Sequence, residues 1–268
     1  MQPWVRLALL GGGLAMRLNG LSEIAKNYDA MLIDQFGVIH DGQKLYSGTS
    51  EVLAKLQALK IPVVVMTNSG KRAASNVARI VKLGVPREQF VDAVSSGEVA
   101  FHSLKVKRAF LIGKRGEDYG FDGIEFVEAS QAEVVLILGS NAPETSLEEY
   151  REILRDAKLP AVCCNPDKLM LTPQGLQPAP GAIAALYESM GGAVTWIGKP
   201  YPTIYYHALK LLGQPKRVLC IGDSAEHDVA GGRSAGLHTL LVQQGISAQL
   251  SEAEVDPMPD YIMKNFMW

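Results

Sequence analysis

The segment Asp34-Gln35-Phe36-Gly37-Val38, directly after the apolar run Met31-Leu32-Ile33, constrains this chain more than any other feature. The apolar run predicts a buried strand, and Gly37 allows the tight turn that must follow it. Ligands of open parallel sheets bind at the carboxyl ends of the strands. A carboxylate at that position can serve as a nucleophile, as a metal ligand, or as both. Two residues after Asp34 stands Phe36, whose side chain cannot titrate.

Short apolar runs rich in β-branched residues alternate with helical segments along the chain, which is the pattern of α/β proteins. Runs such as 63–66 are apolar at every position, so both faces of these strands should be covered, as in a parallel sheet. We therefore predict a doubly wound α/β fold. The predicted strands are 31–34, 63–67, 108–112, 134–138, 161–164, 194–197, 217–221 and 238–242. The predicted helices are 49–59, 72–83, 96–104, 147–157 and 202–212.

The polar residues that suggest chemistry are concentrated near the two ends of the chain. Residues 105–190 have their own alternation of strands and helices, and they lack such residues until Asn165-Pro166-Asp167. We predict a core domain formed by residues 1–104 and 191–268, and a smaller α/β domain, residues 105–190, inserted into it. The early polar residues are Asp34 and Thr67, and the late ones are Lys199, Asp223 and Asp228.

Composition excludes several classes of protein. The net charge of −2 provides no basic field, so neither a nucleic-acid partner nor an anionic membrane partner is expected. No apolar run approaches the length of a transmembrane helix. Cysteines at 163, 164 and 220 form an odd set without CxxC spacing, which argues against a disulfide framework or a zinc site. We expect a cytoplasmic protein.

Residues 1–20 contain a stretch, 7–16, that faintly resembles a short signal core. Only Arg6 precedes it as a basic residue, and no clear cleavage site follows, so a loose leader or a misplaced start codon is favoured over secretion. The glycines at 11–13 precede no carboxylate at the spacing of a dinucleotide-binding loop.

Polar groups follow four of the predicted strands. Taken alone, each has an ordinary explanation as a turn, a helix cap or a solvated lysine loop. Their order and spacing favour one shared site, because the carboxyl ends of parallel strands meet at one edge of the sheet. The groups are Asp34, Thr67-Asn68-Ser69, Gly198-Lys199-Pro200, and Gly222-Asp223-Ser224 with Asp228 following.

These are the residue types that phosphoryl transfer through an aspartyl-phosphate requires. A carboxylate such as Asp34 attacks phosphorus. The hydroxyl, amide and backbone N–H groups of Thr67-Asn68-Ser69 can hold phosphoryl oxygens, and Lys199 adds a positive charge. A divalent cation held by carboxylates neutralises the developing charge, and three hard oxygen ligands favour Mg²⁺ over zinc.

The ordered motifs resemble those of the haloacid dehalogenase superfamily, specifically the class IIA phosphatases with a C2-type cap, over about residues 21–241. The resemblance implies that Asp34 is the nucleophile and a Mg²⁺ ligand, and that Asp223 and Asp228 bind or orient the metal. It also implies that Lys199 steadies the nucleophile. The implied phosphate-binding residues are Thr67, Asn68, Ser69 and Lys199.

The same resemblance implies a role for residues 105–190 as a cap that covers the site and selects the substrate. Asn165-Pro166-Asp167 is similar to a cap segment that precedes a glycine-rich turn, here near Gly175 and Gly181. Asn165 and Asp167 are therefore the predicted substrate-facing residues of the cap. Pairing of two copies through the cap is implied only by this resemblance.

Phe36 departs from the family pattern, which has a second Asp at this position. In the family that Asp protonates the leaving alcohol and later activates water, and losing such a group typically costs about 10²–10⁴-fold in rate. The backbone carbonyl of Phe36 remains available as the metal ligand that the family uses. The enzyme could act on phosphates with good leaving groups, a neighbour such as His40 or Asp41 could replace the acid, or the site could bind a phosphorylated ligand without turnover. For His40 and Asp41 the ordinary explanation is a solvated turn beside Gly42.

We predict a Mg²⁺-dependent phosphatase that hydrolyses a small phosphorylated metabolite through an aspartyl-phosphate on Asp34. The alternative is a catalytically weak or inactive phospholigand-binding protein, which Phe36 motivates. A phospho-accepting receiver module also places Asp, Thr and Lys at strand ends, but the inserted span and the late pair Asp223 and Asp228 argue against it.

Overall fold

The larger unit of the structure is an all-parallel sheet, seven-stranded within the part of the chain described by this computed structural model, residues 15–172 and 174–268. Its strand order is β1-β14-β13-β12-β2-β3-β4. In chain order the strands are β1 (Met16–Leu18), β2 (Ala30–Asp34), β3 (Val63–Thr67), β4 (Asp92–Ser95), β5 (Arg108–Ile112), β6 (Glu125–Phe126), β7 (Val134–Ile137), β8 (Ala161–Cys163), β9 (Leu169–Thr172), β10 (Gly175–Pro178), β11 (Val194–Trp196), β12 (Val218–Gly222), β13 (His238–Val242) and β14 (Tyr261–Met263).

Seven α-helices occur within the described residues. Those that connect strands of the large sheet cover its two faces, while α4 and α5 belong to the inserted part of the chain. They are α1 (Thr49–Ala58), α2 (Ala73–Lys82), α3 (Ser96–Ser103), α4 (Leu147–Leu154), α5 (Pro180–Ser189), α6 (Pro202–Leu211) and α7 (Ala230–Ser234).

The central strands are buried on both faces, as their continuous apolar sequences predict. Along β2, Met31 and Ile33 pack into one core cluster, whereas Leu32 packs into the cluster on the opposite face. Alternation along a strand sends successive side chains to opposite faces of a sheet. Burying an aliphatic side chain contributes about 1.5–3 kcal/mol, so these strands carry much of the stability of the larger unit.

The register of the central strands sets where the polar groups lie. β2 lies between β12 and β3, with Ile33 opposite Ile221 and Asp34 opposite Met66. All three strands run in the same direction, so β2, β3 and β12 end at the same edge of the sheet. Residues separated by almost two hundred positions are therefore neighbours at this edge.

A second parallel sheet, five-stranded among the described residues, lies in the inserted part of the chain with the order β11-β8-β7-β5-β6. Helices α4 and α5 pack on it through a separate core cluster that includes Tyr150, Leu154 and Tyr187. The antiparallel pair β9 and β10 forms a short hairpin within the same part of the chain. The predicted fold class, a doubly wound parallel core with an inserted α/β cap, is confirmed.

The pairing of β11 affects the predicted domain boundary. Val194, Thr195 and Trp196 pair with β8 of the smaller sheet, although the prediction assigned residues 191–268 to the core. This pairing favours a second boundary near residue 198, so that 105–197 would form the inserted unit. The division into domains otherwise stays a prediction.

Several elements were absent from the sequence prediction. They include α5, whose Pro180 occupies a first-turn position that favours helix initiation, and β4, which begins and ends with polar residues. Within 15–172 and 174–268, no helix is both long and apolar enough to span a bilayer. The predictions for the signal-like stretch and the glycines at 11–13 fall wholly or largely outside the described residues.

Candidate active site

Three carboxylates converge at the edge where β2 and β12 end. One carboxylate oxygen from each of Asp34, Asp223 and Asp228 lies within 4.8 Å of the other two, and all three residues are buried. Asp34 is the last residue of β2, and Asp223 follows the last residue of β12. The structure therefore brings together the three acidic residues that the sequence analysis selected.

Lys199 joins this cluster from the loop that follows β11. Its ammonium donates hydrogen bonds to the Asp34 carboxylate and, at 2.7 Å, to Asp228 Oδ1. Burial opposes the charge of the ammonium, but the Asp228 and Asp34 carboxylates outweigh that effect and raise its pKa above the ordinary value. The raised pKa favours the charged form of Lys199 beside Asp34, the predicted nucleophile.

Backbone groups hold the two late carboxylates in place. The N–H of Ile246 donates to Asp223 Oδ2 at 2.8 Å, and the N–H of Ser224 donates to Asp228 Oδ2 at 3.1 Å. Gly222 is required beside them, because a Cβ at this position would overlap the Asp228 carboxylate. The orientation of both carboxylates is therefore fixed by the fold.

The charges of the cluster do not balance. Three carboxylates face one ammonium, and burial raises the pKa of Asp34 well above its ordinary value, an effect that Lys199 opposes and the Asp228 carboxylate reinforces. Burial and the Asp228 carboxylate raise the pKa of Asp223 to about 7. A divalent cation would supply the missing positive charge, and carboxylate oxygens are the ligands that hard cations prefer. These residues fit a divalent metal ion.

The residues that follow β3 form the neighbouring wall of the site. Thr67 is buried, and its Oγ1 accepts the N–H of Ser69 at 3.3 Å. The side-chain amide of Asn68 donates to Asp167 Oδ1 at 2.8 Å and to the carbonyl of Lys199 at 3.1 Å. Thr67 at the end of β3, and Asn68 and Ser69 after it, therefore lie beside the end of β2, but the Asn68 amide is bonded to protein groups.

The cap segment 165–167 reaches the same region. Asn165 Oδ1 accepts the N–H of Asp167 at 3.0 Å, which shapes the segment locally. The Asp167 carboxylate contacts Asn68 and lies 3.7 Å from His227 Nδ1. His227 itself borders the site while its backbone N–H is capped by Ser224. Of the predicted cap residues, Asp167 contacts the core directly, and Asn165 supports it.

Phe36 lies on the turn that follows Asp34. The residue is 43% exposed, and its ring contacts the His40 ring in an edge-to-face arrangement, with 4.5 Å between the ring centroids. The guanidinium of Arg79 lies 5.6 Å from the centroid of the same ring. The role of the Phe36 carbonyl as a metal ligand stays a prediction.

His40 and Asp41 were the candidates to replace the missing acid, and the structure favours neither of them in that role. His40 is fully buried rather than solvated, it lies 3.0 Å from the Gln35 amide, and burial and Arg79 lower its pKa to about 4. The Asp41 carboxylate is exposed and accepts the N–H groups of Gln43 and Lys44, which is an ordinary Asx turn. Both residues stabilise the turn that carries Phe36.

The sequence analysis missed the loop 244–247 after β13. Besides the bond from Ile246, the hydroxyl of Ser247 donates to the Asp223 carbonyl, and a Cβ on Gly245 would overlap the Asp223 carboxylate. The only available signal was Gly245, three residues after a predicted strand, at the edge where the other groups lie.

Comparison with known proteins agrees with this geometry. The family model described as haloacid dehalogenase-like hydrolase matches residues 31–151, and a second, HAD-hydrolase-like model matches residues 196–267. Dihydroxyacetone phosphatase from Corynebacterium glutamicum (strain R) is 27% identical over 237 residues, which cover 85% of this chain and 84% of that protein.

Two solved structures are also similar. A hydrolase of the haloacid dehalogenase-like family from Brucella suis 1330 has 29% identity and a TM-score of 0.84, with 93% of this chain and 100% of that chain covered. The p-nitrophenyl phosphatase from Archaeoglobus fulgidus has 26% identity and a TM-score of 0.71, with 89% and 96% covered.

The fold, the strand-end carboxylates and these matches lead to one conclusion. The chain belongs to the haloacid dehalogenase-like hydrolases, in the class IIA branch with a C2-type cap. The predicted resemblance is confirmed at this level. That Phe36 stands where the family usually has its second Asp stays a prediction.

Proposed function

We propose that the protein is a Mg²⁺-dependent phosphatase that hydrolyses a small phosphomonoester through an aspartyl-phosphate on Asp34. The observation that supports this proposal most strongly is the buried cluster of Asp34, Asp223 and Asp228 with the Lys199 ammonium inside it. Such a cluster is costly for folding, because desolvated carboxylates repel one another. A ligand-binding or catalytic role explains why the chain keeps it.

The proposed reaction has two displacements. In the first, a carboxylate oxygen of Asp34 attacks phosphorus, the ester P–O bond breaks, and its electron pair leaves with the alcohol oxygen. In the second, water attacks the phosphorus of the aspartyl-phosphate, the P–O bond to Asp34 breaks, and inorganic phosphate leaves. The attacking water gives one proton to solvent, the departing alcohol oxygen takes one proton from solvent, and Asp34 returns to its starting carboxylate form, so atoms and charge balance.

The protein groups stabilise the charge that builds up during these steps. Lys199 opposes the protonation of Asp34 that burial favours and would face the phosphoryl oxygens, and Thr67, Asn68 and Ser69 would supply N–H and hydroxyl donors. When bound, Mg²⁺ would neutralise the phosphoryl oxygens. The carboxylates of Asp34, Asp223 and Asp228, together with the Phe36 carbonyl, are the groups that would hold it.

Phe36 limits which esters this site can cleave quickly. The leaving oxygen receives no proton from position 36, and the bonding of His40 and Asp41 argues against either as a substitute. Esters whose alcohols are acidic need little protonation, so we expect them to be the better substrates. The names of the relatives, dihydroxyacetone phosphatase and p-nitrophenyl phosphatase, support the class of small phosphomonoesters.

The cap would close over this site and set its specificity. Asp167 already lies against the core, and water exclusion by a closed cap strengthens the electrostatic interactions inside. Dimerisation through the cap and a cytoplasmic location remain part of the proposal, supported only by the resemblance and by composition.

A phosphomonoester panel tests the proposal. Purified protein is assayed with p-nitrophenyl phosphate and with small alkyl phosphates, in Mg²⁺ and in EDTA, beside the Asp34→Asn variant. Asp34→Asn preserves side-chain volume and removes the nucleophile, so turnover should fall by roughly 10³-fold or more. Turnover that persists in both EDTA and Asp34→Asn would contradict the proposal.

The second candidate is a phospholigand-binding protein without turnover, which Phe36 favours. Calorimetry with inorganic phosphate in Mg²⁺ separates the two candidates. Phosphate binding that Lys199→Met weakens, together with no hydrolysis of any ester in the panel, would favour the binding protein.

A further inference from the structure

The side chain of Asn68 has no hydrogen-bonding capacity left for a ligand. An amide side chain has two N–H donors and a carbonyl oxygen that can accept two bonds. Both donors are used, by Asp167 Oδ1 at 2.8 Å and by the Lys199 carbonyl at 3.1 Å. The oxygen accepts the Lys199 N–H at 2.6 Å and the Ser96 hydroxyl at 3.4 Å. The amide therefore bonds both the backbone N–H and the backbone carbonyl of Lys199.

These hydrogen bonds fix the backbone position of Lys199, from which its side chain extends. Asn68 and Lys199 are both buried, and the ammonium of Lys199 reaches Asp34 and Asp228 from that anchored backbone. Packing leaves the loop little freedom, because a Cβ on Gly198 would overlap Ser96 and Asn68. A shift of the backbone would move the ammonium away from one of its two carboxylates.

One of the four hydrogen bonds of the Asn68 amide is made to the cap, through Asp167. Asp167 accepts one Asn68 donor, and its neighbour Pro166 lies so close to Gly198 that a Cβ there would overlap the proline ring as well. The carbonyl of Asp167 in turn accepts the N–H of Gly181 at the start of α5, which ties the segment to the body of the cap. The loop 198–200 that carries Lys199, here called the lysine loop, is thus held from the core through Asn68 and from the cap through 166–167.

We propose that Asn68 is a positioning residue for Lys199, and that Asp167 makes this positioning depend on the cap being seated on the core. The inference rests on the proposed function for its catalytic meaning, but its structural part does not. When the cap lies against the core, Asp167 accepts a hydrogen bond from the Asn68 amide and the lysine loop is held. Withdrawal of the cap segment frees one Asn68 donor and loosens that loop.

Hydrogen exchange at the Lys199 backbone amide tests the structural part without metal or substrate. Asn68→Ala removes the acceptor of this N–H and should speed its exchange by about 10-fold, the upper range for one lost hydrogen bond. Asp167→Ala does not touch this N–H, yet it should speed exchange by about 3- to 10-fold. Asp167→Asn keeps an oxygen acceptor and should restore exchange to within about twofold of the wild type. An exposed cap residue, Asp156→Ala, serves as the matched control and should change nothing.

An unchanged Lys199 exchange rate in Asp167→Ala would overturn the dependence on the cap. An unchanged rate in Asn68→Ala would overturn the positioning role itself. Asp167 is partly exposed, so its variants should fold even if Asn68→Ala does not.

A double-mutant cycle tests the catalytic part, with Kd for inorganic phosphate in Mg²⁺ as the readout. If Asn68 acts through Lys199, Asn68→Ala should weaken phosphate binding in the wild type and change it by less than about twofold in Lys199→Met. If Asn68 binds the phosphoryl group directly, the same loss should appear in both backgrounds, and the positioning role would be wrong. A wild type that neither binds phosphate nor hydrolyses esters would defeat the proposed function, while the exchange experiment would still decide the coupling.

Discussion

Gly37 and Asp223 lie so close together that a Cβ on Gly37 would overlap the Asp223 carboxylate. Gly37 also has a φ of +86°, in the left-handed region that favours glycine. The turn after Asp34 and the loop after β12 therefore meet with no space between them. Asp223 is held between this turn and the N–H of Ile246.

Gly37→Ala should damage both stability and metal binding. Gly84→Ala is the matched control, because Gly84 also has a positive φ but has nothing within 4 Å of the added Cβ. The control should lose about 1 kcal/mol of unfolding free energy from backbone strain alone. Gly37→Ala should lose a further 1–3 kcal/mol, approximately, from overpacking. Urea denaturation and a Mg²⁺ titration measure the two effects, and equal losses in the two variants would contradict the steric argument.

Phe36→Asp should raise activity on esters with poor leaving groups. A titratable carboxyl at this position could protonate the leaving alcohol, so kcat/KM for a small alkyl phosphate should rise by up to about 10²-fold. The gain for p-nitrophenyl phosphate should be much smaller, because its leaving group needs little protonation. Phe36→Asn has nearly the same shape without the acid and should give no gain. A similar rise in both variants would show that removing the ring, rather than adding an acid, is responsible.

Without a divalent cation, the protein should become less stable as the pH rises. The pKa of Asp223 is raised from 3.8 to about 7 in the folded chain, so its protonated form is favoured by folding. The stability that this proton provides is present below about pH 4 and is lost as the pH passes through about 7, a change on the order of a few kcal/mol. Thermal unfolding in EDTA should therefore give a lower Tm at pH 8 than at pH 5, and Mg²⁺ should raise Tm most at pH 8. A Tm that does not respond to Mg²⁺ at pH 8 would contradict a metal site here.

Glu98→Gln should destabilise the protein at neutral pH and much less in acid. Burial alone would raise the Glu98 pKa, but bonds from Arg72 and the Ala73 N–H outweigh it and lower the pKa to about 2. Because the folded pKa lies below the ordinary 4.5, the stabilisation is present above pH 4.5 and is lost as the pH falls toward 2. The wild type should exceed the variant by about 1–3 kcal/mol at pH 7.

The exposed pair of Glu152 and Arg155 provides the comparison for that experiment. Both side chains are more than half exposed, and such surface pairs contribute little to stability. Glu152→Gln should therefore change the unfolding free energy at pH 7 by much less than Glu98→Gln. Equal effects of the two substitutions in urea denaturation would refute the special role of Glu98.

The convergence of Asp34 and Asp223 could be predicted from sequence because each stands at the end of a strongly apolar strand. Parallel strands bring their carboxyl ends to one edge, so strand prediction was enough to place these two carboxylates there, and Asp228 was assigned to the same edge from its spacing of five residues after Asp223. The strand β11 shows the limit of this reasoning. Its loop delivers Lys199 to the site, but the strand itself pairs with the smaller sheet, and nothing in its local sequence distinguishes the two sheets.

The bonding of Asn68 could not be predicted in the same way. Its partners Asp167 and Lys199 lie 99 and 131 residues away in sequence, and only the folded arrangement shows that they saturate the amide. The burial of His40 was also missed, because its neighbours Asp41 and Gly42 indicate an exposed turn. The Ile246 N–H that binds Asp223 is a backbone group, so its side chain gave no signal.

The adjacency of β2 and β12 in the sheet has a consequence for synthesis of the protein. A ribosome-bound chain that has emerged only as far as β11 contains Asp34, but it lacks β12, one of the two strands that flank β2, and it lacks Lys199. Prematurely terminated products would consequently be inert toward cellular phosphate esters. The site is therefore completed late, when the last quarter of the polypeptide inserts next to a strand made near the beginning.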